Sequence, residues 1–116
     1  METLFVTDCL FCKIAAKEIS SSVVYEDDLI LAFKDINSVS PFHILIITKE
    51  HYRNILDVPD EKLINIMKAI KKIAKEYNLD ESGFRIVNNC GNDGGQEVDH
   101  IHFHMLAKRS HSWPPG

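Results

Sequence analysis

"DHIHFHML", residues 99–106, sets histidine at every second position: His100, His102 and His104, with Ile101, Phe103 and Met105 between them. In an extended strand successive side chains alternate faces, so the imidazoles line one face about 6.5–7 Å apart and the apolar set lines the other. The pattern predicts a strand over 100–106 whose apolar face is covered by a helix. Such a row has three readings: a polar face without chemistry, a metal site, or a catalytic set supplying nucleophile and proton donor. Immediately upstream, "NNCGNDGGQ" (88–96) is polar and glycine-rich, a composition that can offer backbone N–H groups to an anion. That neighbour favours the catalytic reading.

Outward from this stretch the elements follow in order. "DCLFCKIAAKE" (8–18) reads as a short helix with Asp8 as N-cap. "SVVYEDDLILAFKD" (22–35) holds two β-rich runs around Asp27-Asp28 and predicts a hairpin. "FHILIIT" (42–48) is a branched, apolar run of the kind found in a buried strand. Pro59 opens a helix on which Leu63, Ile66, Met67, Ile70, Ile73, Ala74 and Tyr77 recur on one face. "GFRIV" (83–87) is a further strand. Strands outnumber helices without alternating regularly with them, which predicts an α+β domain with an antiparallel sheet. With 116 residues, 1–116 form a single domain.

Composition narrows the function classes. The net charge of −4, with both signs scattered, lacks the concentrated basic face that a nucleic-acid backbone demands. No apolar run reaches the roughly 18 residues of a membrane span. "METLFVTDCLFC" lacks a basic region ahead of an apolar stretch, so no secretory leader is expected. The expected location is therefore cytoplasmic, where three cysteines serve as thiols or metal ligands rather than as a disulfide framework. "CLFC" (9–12) has the spacing of half a zinc site, and equally of a redox pair or of two buried thiols.

Beyond the row itself, "FCKIAAKEI", "VYEDDLILAFKDI", "GGQEVDHIHFH" and the terminal "WPPG" agree in order and spacing with the histidine triad nucleotide-binding proteins. The chain resembles most the purine nucleoside phosphoramidase branch of that family, in which a "WPPG"-type tail is typical. The resemblance implies a five-stranded antiparallel sheet with two helices per protomer, paired as a homodimer with one continuous ten-stranded sheet. It implies hydrolysis of purine nucleoside 5′-phosphoramidates or aminoacyl-adenylates, with an AMP-type nucleotide as the bound partner. Two other functions stay in view: a dinucleoside polyphosphate hydrolase or nucleotidyl transferase, and a non-catalytic nucleotide- or zinc-binding adaptor.

By motif position, the resemblance makes His102 the nucleophile and His104 a donor to a phosphate oxygen. It makes His43 part of their hydrogen-bond network, with His100 beside the catalysis. Asp35 would accept both ribose hydroxyls. Phe33 and Ile36 would form the slot for the base, and Asn89, Gly95 and Gln96 would hold the phosphate and leaving group. Glu97 stands where many animal members have a serine; an ionised carboxylate accepts but cannot donate, so the departure bears on leaving-group preference. Ala107-Lys108 replaces a common Gly-Gly pair and predicts a changed path into the tail. Relatives with Cys-x-x-Cys near the start imply one structural zinc per protomer on Cys9, Cys12, His51 and His100. In that arrangement one nitrogen of His100 holds the metal and the other faces the triad. Cys90 and His111 receive no role.

Overall fold

A computed structural model describes residues 8–115; the leader expectation falls partly on residues 1–7, and the tail's Gly116 also lies outside the described residues. The elements are α1 (Leu10–Ala15), β1 (Val23–Glu26), β2 (Ile30–Lys34), β3 (Phe42–Thr48), α2 (Asp60–Glu76), β4 (Phe84–Val87) and β5 (His102–Ala107). The strands form one antiparallel sheet in the order β1-β2-β3-β5-β4. The fold is the α+β arrangement expected, with two helices and five strands among the described residues.

Strand alternation sorts the sheet into two faces. Ile30, Ala32, Ile44, Ile46, Phe103 and Met105 meet Ile66, Ala69, Ile70, Ile73 and Ala74 of α2, forming the larger core. Ala69 joins that face and Met67, 41% exposed, leaves it. On the opposite face Leu31, Phe33, Leu45 and Ile47 are covered by Phe11, Ile14 and Ala15 of α1. Strand pairing sets His102 opposite Ile47 and His104 opposite Leu45. The histidines therefore share the face that α1 covers.

The ends of elements differ from expectation for local reasons. Cys9, not Asp8, caps α1: its Sγ accepts from the Cys12 N–H at 3.3 Å, the geometry of a serine cap. The helix stops at Ala15, short of residue 18, because Lys17 turns left-handed (φ 66°). Lys17 and Glu18 then donate to the carbonyls of Ile14 and Lys13, a Schellman closure. Asn78 (φ 59°) and Leu79 end α2 in the same way on Lys75 and Ala74. The β1–β2 turn lies where expected, with Asp27 Oδ1 accepting from Leu29 and Ile30 N–H, both at 2.8 Å.

The last strand begins at His102 rather than at residue 100. Before it, the Ile101 N–H donates to the Tyr52 carbonyl at 2.7 Å. That bond draws residues 100–101 out of the ladder and lays them along the segment that follows β3. At the strand's other end Lys108 is left-handed (φ 68°), the conformation glycine adopts most cheaply. Among the described residues no helix is long and apolar enough to cross a membrane.

Candidate functional site

Two clusters of polar side chains share the α1-covered face. The first contains Cys9, Cys12, His51 and His100, whose ligand atoms lie within 4.8 Å of one another. Capping puts Cys9 and Cys12 at one end of α1, and the Ile101–Tyr52 bond brings the His51 segment alongside His100. Cys9 Sγ is 3.3 Å from His100 Nδ1; Cys12 Sγ is 3.5 Å from that atom and 3.2 Å from His51 Nδ1. A tetrahedron with Zn–S of about 2.3 Å and Zn–N of about 2.0–2.1 Å has S···N edges of about 3.5 Å, so the donors fit a zinc ion with little adjustment.

Protonation also suits a metal. His100 Nε2 lies 2.7 Å from the Thr48 carbonyl oxygen, which only accepts, so Nε2 carries the proton and Nδ1 presents its lone pair to the thiols. His100 is completely buried. Burial pushes its pKa down to about 4 and also lowers that of His51, keeping both neutral as ligands must be. The expectation that His100's second nitrogen faces the triad is corrected by the Thr48 bond. What reaches the triad is the His100 backbone carbonyl, which accepts from His102 Nδ1–H at 2.7 Å.

The second cluster is Asp35, His43 and His104, and its hydrogen bonds run in a different sense. The Val39 N–H can only donate, and it lies 3.1 Å from His43 Nδ1. Nδ1 is therefore bare, and the proton of neutral His43 is on Nε2, 2.9 Å from His104 Nδ1 and 3.3 Å from Asp35 Oδ2. His104 Nδ1 thus accepts, leaving its own proton on Nε2. A metal on His43 Nε2 would force that proton onto Nδ1, against the Val39 N–H. This cluster is a hydrogen-bond relay, although its spacing alone would admit an ion. Burial first, then the nearby His102 and His43, pushes His104 down to about 4; burial likewise lowers His43.

Between the clusters stands His102, 5% exposed, with its ring edge-on to Phe11 at 5.1 Å and centred 5.3 Å from His104. Since Nδ1 donates to the His100 carbonyl, Nε2 holds a free lone pair and makes no hydrogen bond among the described residues. Adjacent imidazoles are thus set oppositely: His102 Nε2 is bare and His104 Nε2 is protonated.

The other sequence-nominated residues take distinct places. Asp35 follows β2, and its Oδ1 accepts from the Asn37 N–H at 2.8 Å. Phe33 is buried against Phe11, whereas Ile36 is 95% exposed. Asn88 is engaged, donating to the His102 carbonyl at 2.9 Å, so Asn89 is the asparagine without that structural duty. Gln96 is committed to the loop: Oε1 accepts from Gly91 N–H, and Nε2 donates to the Arg53 and Val98 carbonyls. Gly95 is left-handed (φ 76°), and a Cβ on Gly94 would lie 2.5 Å from the Cys90 carbonyl oxygen, so the loop's glycines are steric requirements. Glu97 is exposed. Cys90 lies outside the cysteine–histidine cluster, and His111 lies beside the cavity lined by Arg85, Lys108 and Arg109.

Sequence reasoning did not find Val39, Thr48 or Arg109. Val39 and Thr48 act through backbone atoms, on which residue identity leaves no mark; Arg109 Nε donates to the Val39 carbonyl at 3.1 Å.

The HIT domain family model matches residues 16–111. The chain is 47% identical over 114 residues to a 14 kDa zinc-binding protein of Brassica juncea, covering 94% of this chain and 100% of that one. It is 45% identical over 103 residues to an uncharacterised HIT-like protein of Methanocaldococcus jannaschii, covering 86% of this chain and 78% of that protein. Among solved structures, a HIT family hydrolase from Legionella pneumophila superposes with a TM-score of 0.89 at 52% identity, covering 93% of this chain and 99% of that one. A histidine triad protein from Clostridium difficile gives a TM-score of 0.86 at 52% identity, covering 95% and 96%. With the triad on one face of a matching sheet and the family model spanning most of its length, the chain belongs to the HIT family.

Proposed function

We propose that this protein is a nucleotide hydrolase that cleaves purine nucleoside 5′-phosphoramidates or aminoacyl-adenylates through a covalent nucleotidyl-histidine at His102. The observation that carries the reading is the opposed protonation of His102 and His104, a bare Nε2 beside a protonated one. His102 Nε2 attacks the α-phosphorus as the bond to the leaving group breaks. Water then attacks the same phosphorus, the P–Nε2 bond breaks, and the nucleoside monophosphate departs. His104 Nε2–H donates to a non-bridging oxygen whose charge grows in both steps, a contribution worth about 10²–10³ in rate for one such donor. The depressed pKa of His104 makes it a neutral donor at pH 7.

Asp35 retains acceptor capacity for a ribose diol after receiving the Asn37 N–H. Exposed Ile36 and the edge of Phe33 border the base, while Asn89, the loop held by Gly95 and Gln96, and Glu97 face phosphate and leaving group. While ionised, Glu97 cannot protonate a departing amine, so that proton comes from the substrate or from water. Cys9, Cys12, His51 and His100 would hold one zinc ion per protomer, supplying a cross-link between α1 and the sheet. A second copy would pair along β4, the sheet edge beside half-exposed Phe84, to give ten strands. A cytoplasmic site of action accords with nucleotide substrates.

The test is single-turnover reaction with adenosine 5′-phosphoramidate, followed by intact-protein mass measurement. A transient adduct of one AMP mapping to His102 is expected. Binding without adduct or turnover would leave an adaptor, and preferential hydrolysis of diadenosine polyphosphates would favour the dinucleoside hydrolase.

A further inference from the structure

We infer that Arg109 is a positioning residue for the histidine pair: its grip on Val39 fixes the direction of the hydrogen bond between His43 and His104. The loop between β2 and β3, "DINSVSP" (35–41), carries the Val39 N–H that keeps His43 Nδ1 bare. Val39 itself is 61% exposed, so packing of its own side chain does little to hold it. Two bonds from the end of β5 restrain the loop instead. Ser40 Oγ–H donates to the Ala107 carbonyl at 2.6 Å, and Arg109 Nε–H donates to the Val39 carbonyl at 3.1 Å. Arg109 is itself steadied by Nη1–H donating to the Ser110 carbonyl at 2.9 Å.

The consequence follows from proton counting on neutral imidazoles. With Val39 in place, His43 is protonated on Nε2, donates to His104 Nδ1, and leaves His104 protonated on Nε2. Without the Arg109 clamp, water competes for the exposed Val39 peptide groups and His43 is free to carry its proton on Nδ1. The His43–His104 bond can then reverse, His104 Nδ1–H donating to a bare His43 Nε2. No proton is gained or lost, yet His104 Nε2 becomes bare and can no longer donate to a phosphate oxygen. Asp35 Oδ2, 3.3 Å from His43 Nε2, biases the pair toward the unreversed state without replacing the Val39 bond. Arg109 therefore acts on chemistry through a backbone amide and two rings. The kinetic part of this inference rests on the proposed hydrolase; the tautomer part does not.

The test uses zinc-loaded protein with Arg109→Met and Arg109→Lys. Long-range ¹H–¹⁵N spectra of substrate-free protein near pH 7.5 should show His43 and His104 with bare Nδ1 and protonated Nε2 in the unaltered chain. Arg109→Met should give a tautomer mixture at both rings, a roughly tenfold lower kcat and an unchanged KM for a phosphoramidate. Arg109→Lys, which keeps one donor, should give an intermediate spectrum and rate, and supplies the comparison should Arg109→Met fail to fold. Unaltered tautomers in a folded variant would overturn the inference whatever the activity. So would a raised KM with unchanged kcat, the mark of direct substrate contact. If the unaltered protein hydrolyses no phosphoramidate while the variant's tautomers still mix, the proposed function fails and the positioning role stands.

Discussion

With no metal in the cysteine–histidine cluster, lowering the pH from 7 to 4 drives protonation of His100 against its burial. The imidazole is completely buried, and burial holds its pKa at about 4 against an ordinary 6.5. A histidine whose folded pKa lies below its unfolded value contributes full stability above pH 6.5. That stability is lost as pH falls toward 4, because the unfolded chain takes up the proton first. At about 1.4 kcal/mol per tenfold in proton affinity, the span from 6.5 to about 4 is worth about 3 kcal/mol. That is a large share of the roughly 5–15 kcal/mol that holds a domain folded. For a chain of this length it corresponds to roughly 12 °C in Tm.

Each thiol can donate to an imidazole of the cluster, Cys9 to His100 and Cys12 to His51, so metal-free protein is expected to fold at neutral pH. Urea melts in metal-free buffer at half-unit steps from pH 7.5 to 4 would measure the loss. His51 and His104 also resist protonation, so the informative quantity is a difference. His100→Gln keeps a donor for Thr48 but cannot titrate, and its stability should decline by about 3 kcal/mol less over the same interval. Parallel curves for the two proteins would refute the assignment of that slope to His100.

His102→Ala should abolish turnover while nucleotide affinity, measured by calorimetry, stays within about tenfold, since ribose and base contacts lie elsewhere; near-native turnover would end the covalent mechanism. Asp35→Ala should weaken a ribonucleotide by about 1.5–3 kcal/mol relative to its dideoxy analogue in the same titration, the worth of hydrogen bonds to a charged acceptor. Equal losses would make Asp35 structural only. Lys108→Gly should raise Tm by a few degrees in a thermal melt, because relief of about 1–2 kcal/mol of left-handed strain exceeds the glycine's extra unfolded-state entropy. A lowered Tm would show that the Lys108 side chain matters more than its backbone.

What was legible in the sequence was whatever side-chain type and period encode. The alternation His100–Met105 gave the two faces of the sheet, and the β3 boundaries, Phe42 and Thr48, were read to the residue. The Cys9–Cys12 spacing could not choose among metal, redox and buried thiols; the fold brings His51 and His100 to those sulfurs, a set that could hold a metal ion. Helix ends were misread where stop signals were unconventional: a cysteine as cap, and a lysine rather than a glycine in the left-handed position at residue 17. The direction of each histidine's hydrogen bonds was invisible, because the deciding partners are carbonyls and an amide that every non-proline residue possesses.

That invisibility explains why β5 starts two residues later than the pattern suggests. In an antiparallel ladder the carbonyls of a central strand are spent on its neighbours. Pairing with β3 begins at His102, and Ile101 N–H goes to Tyr52 instead, so the His100 carbonyl is left for the His102 ring. The Ile101 N–H and the His100 carbonyl belong to one trans peptide and point opposite ways, so the bond to Tyr52 turns that carbonyl away from β3 and toward the His102 ring. Without that acceptor the ring could exchange tautomers, and the bare Nε2 would be one of two states. The same departure turns the His100 side chain toward the Thr48 carbonyl and the cysteines. One residue thus faces the cysteines with its side chain and fixes the His102 ring with its backbone carbonyl.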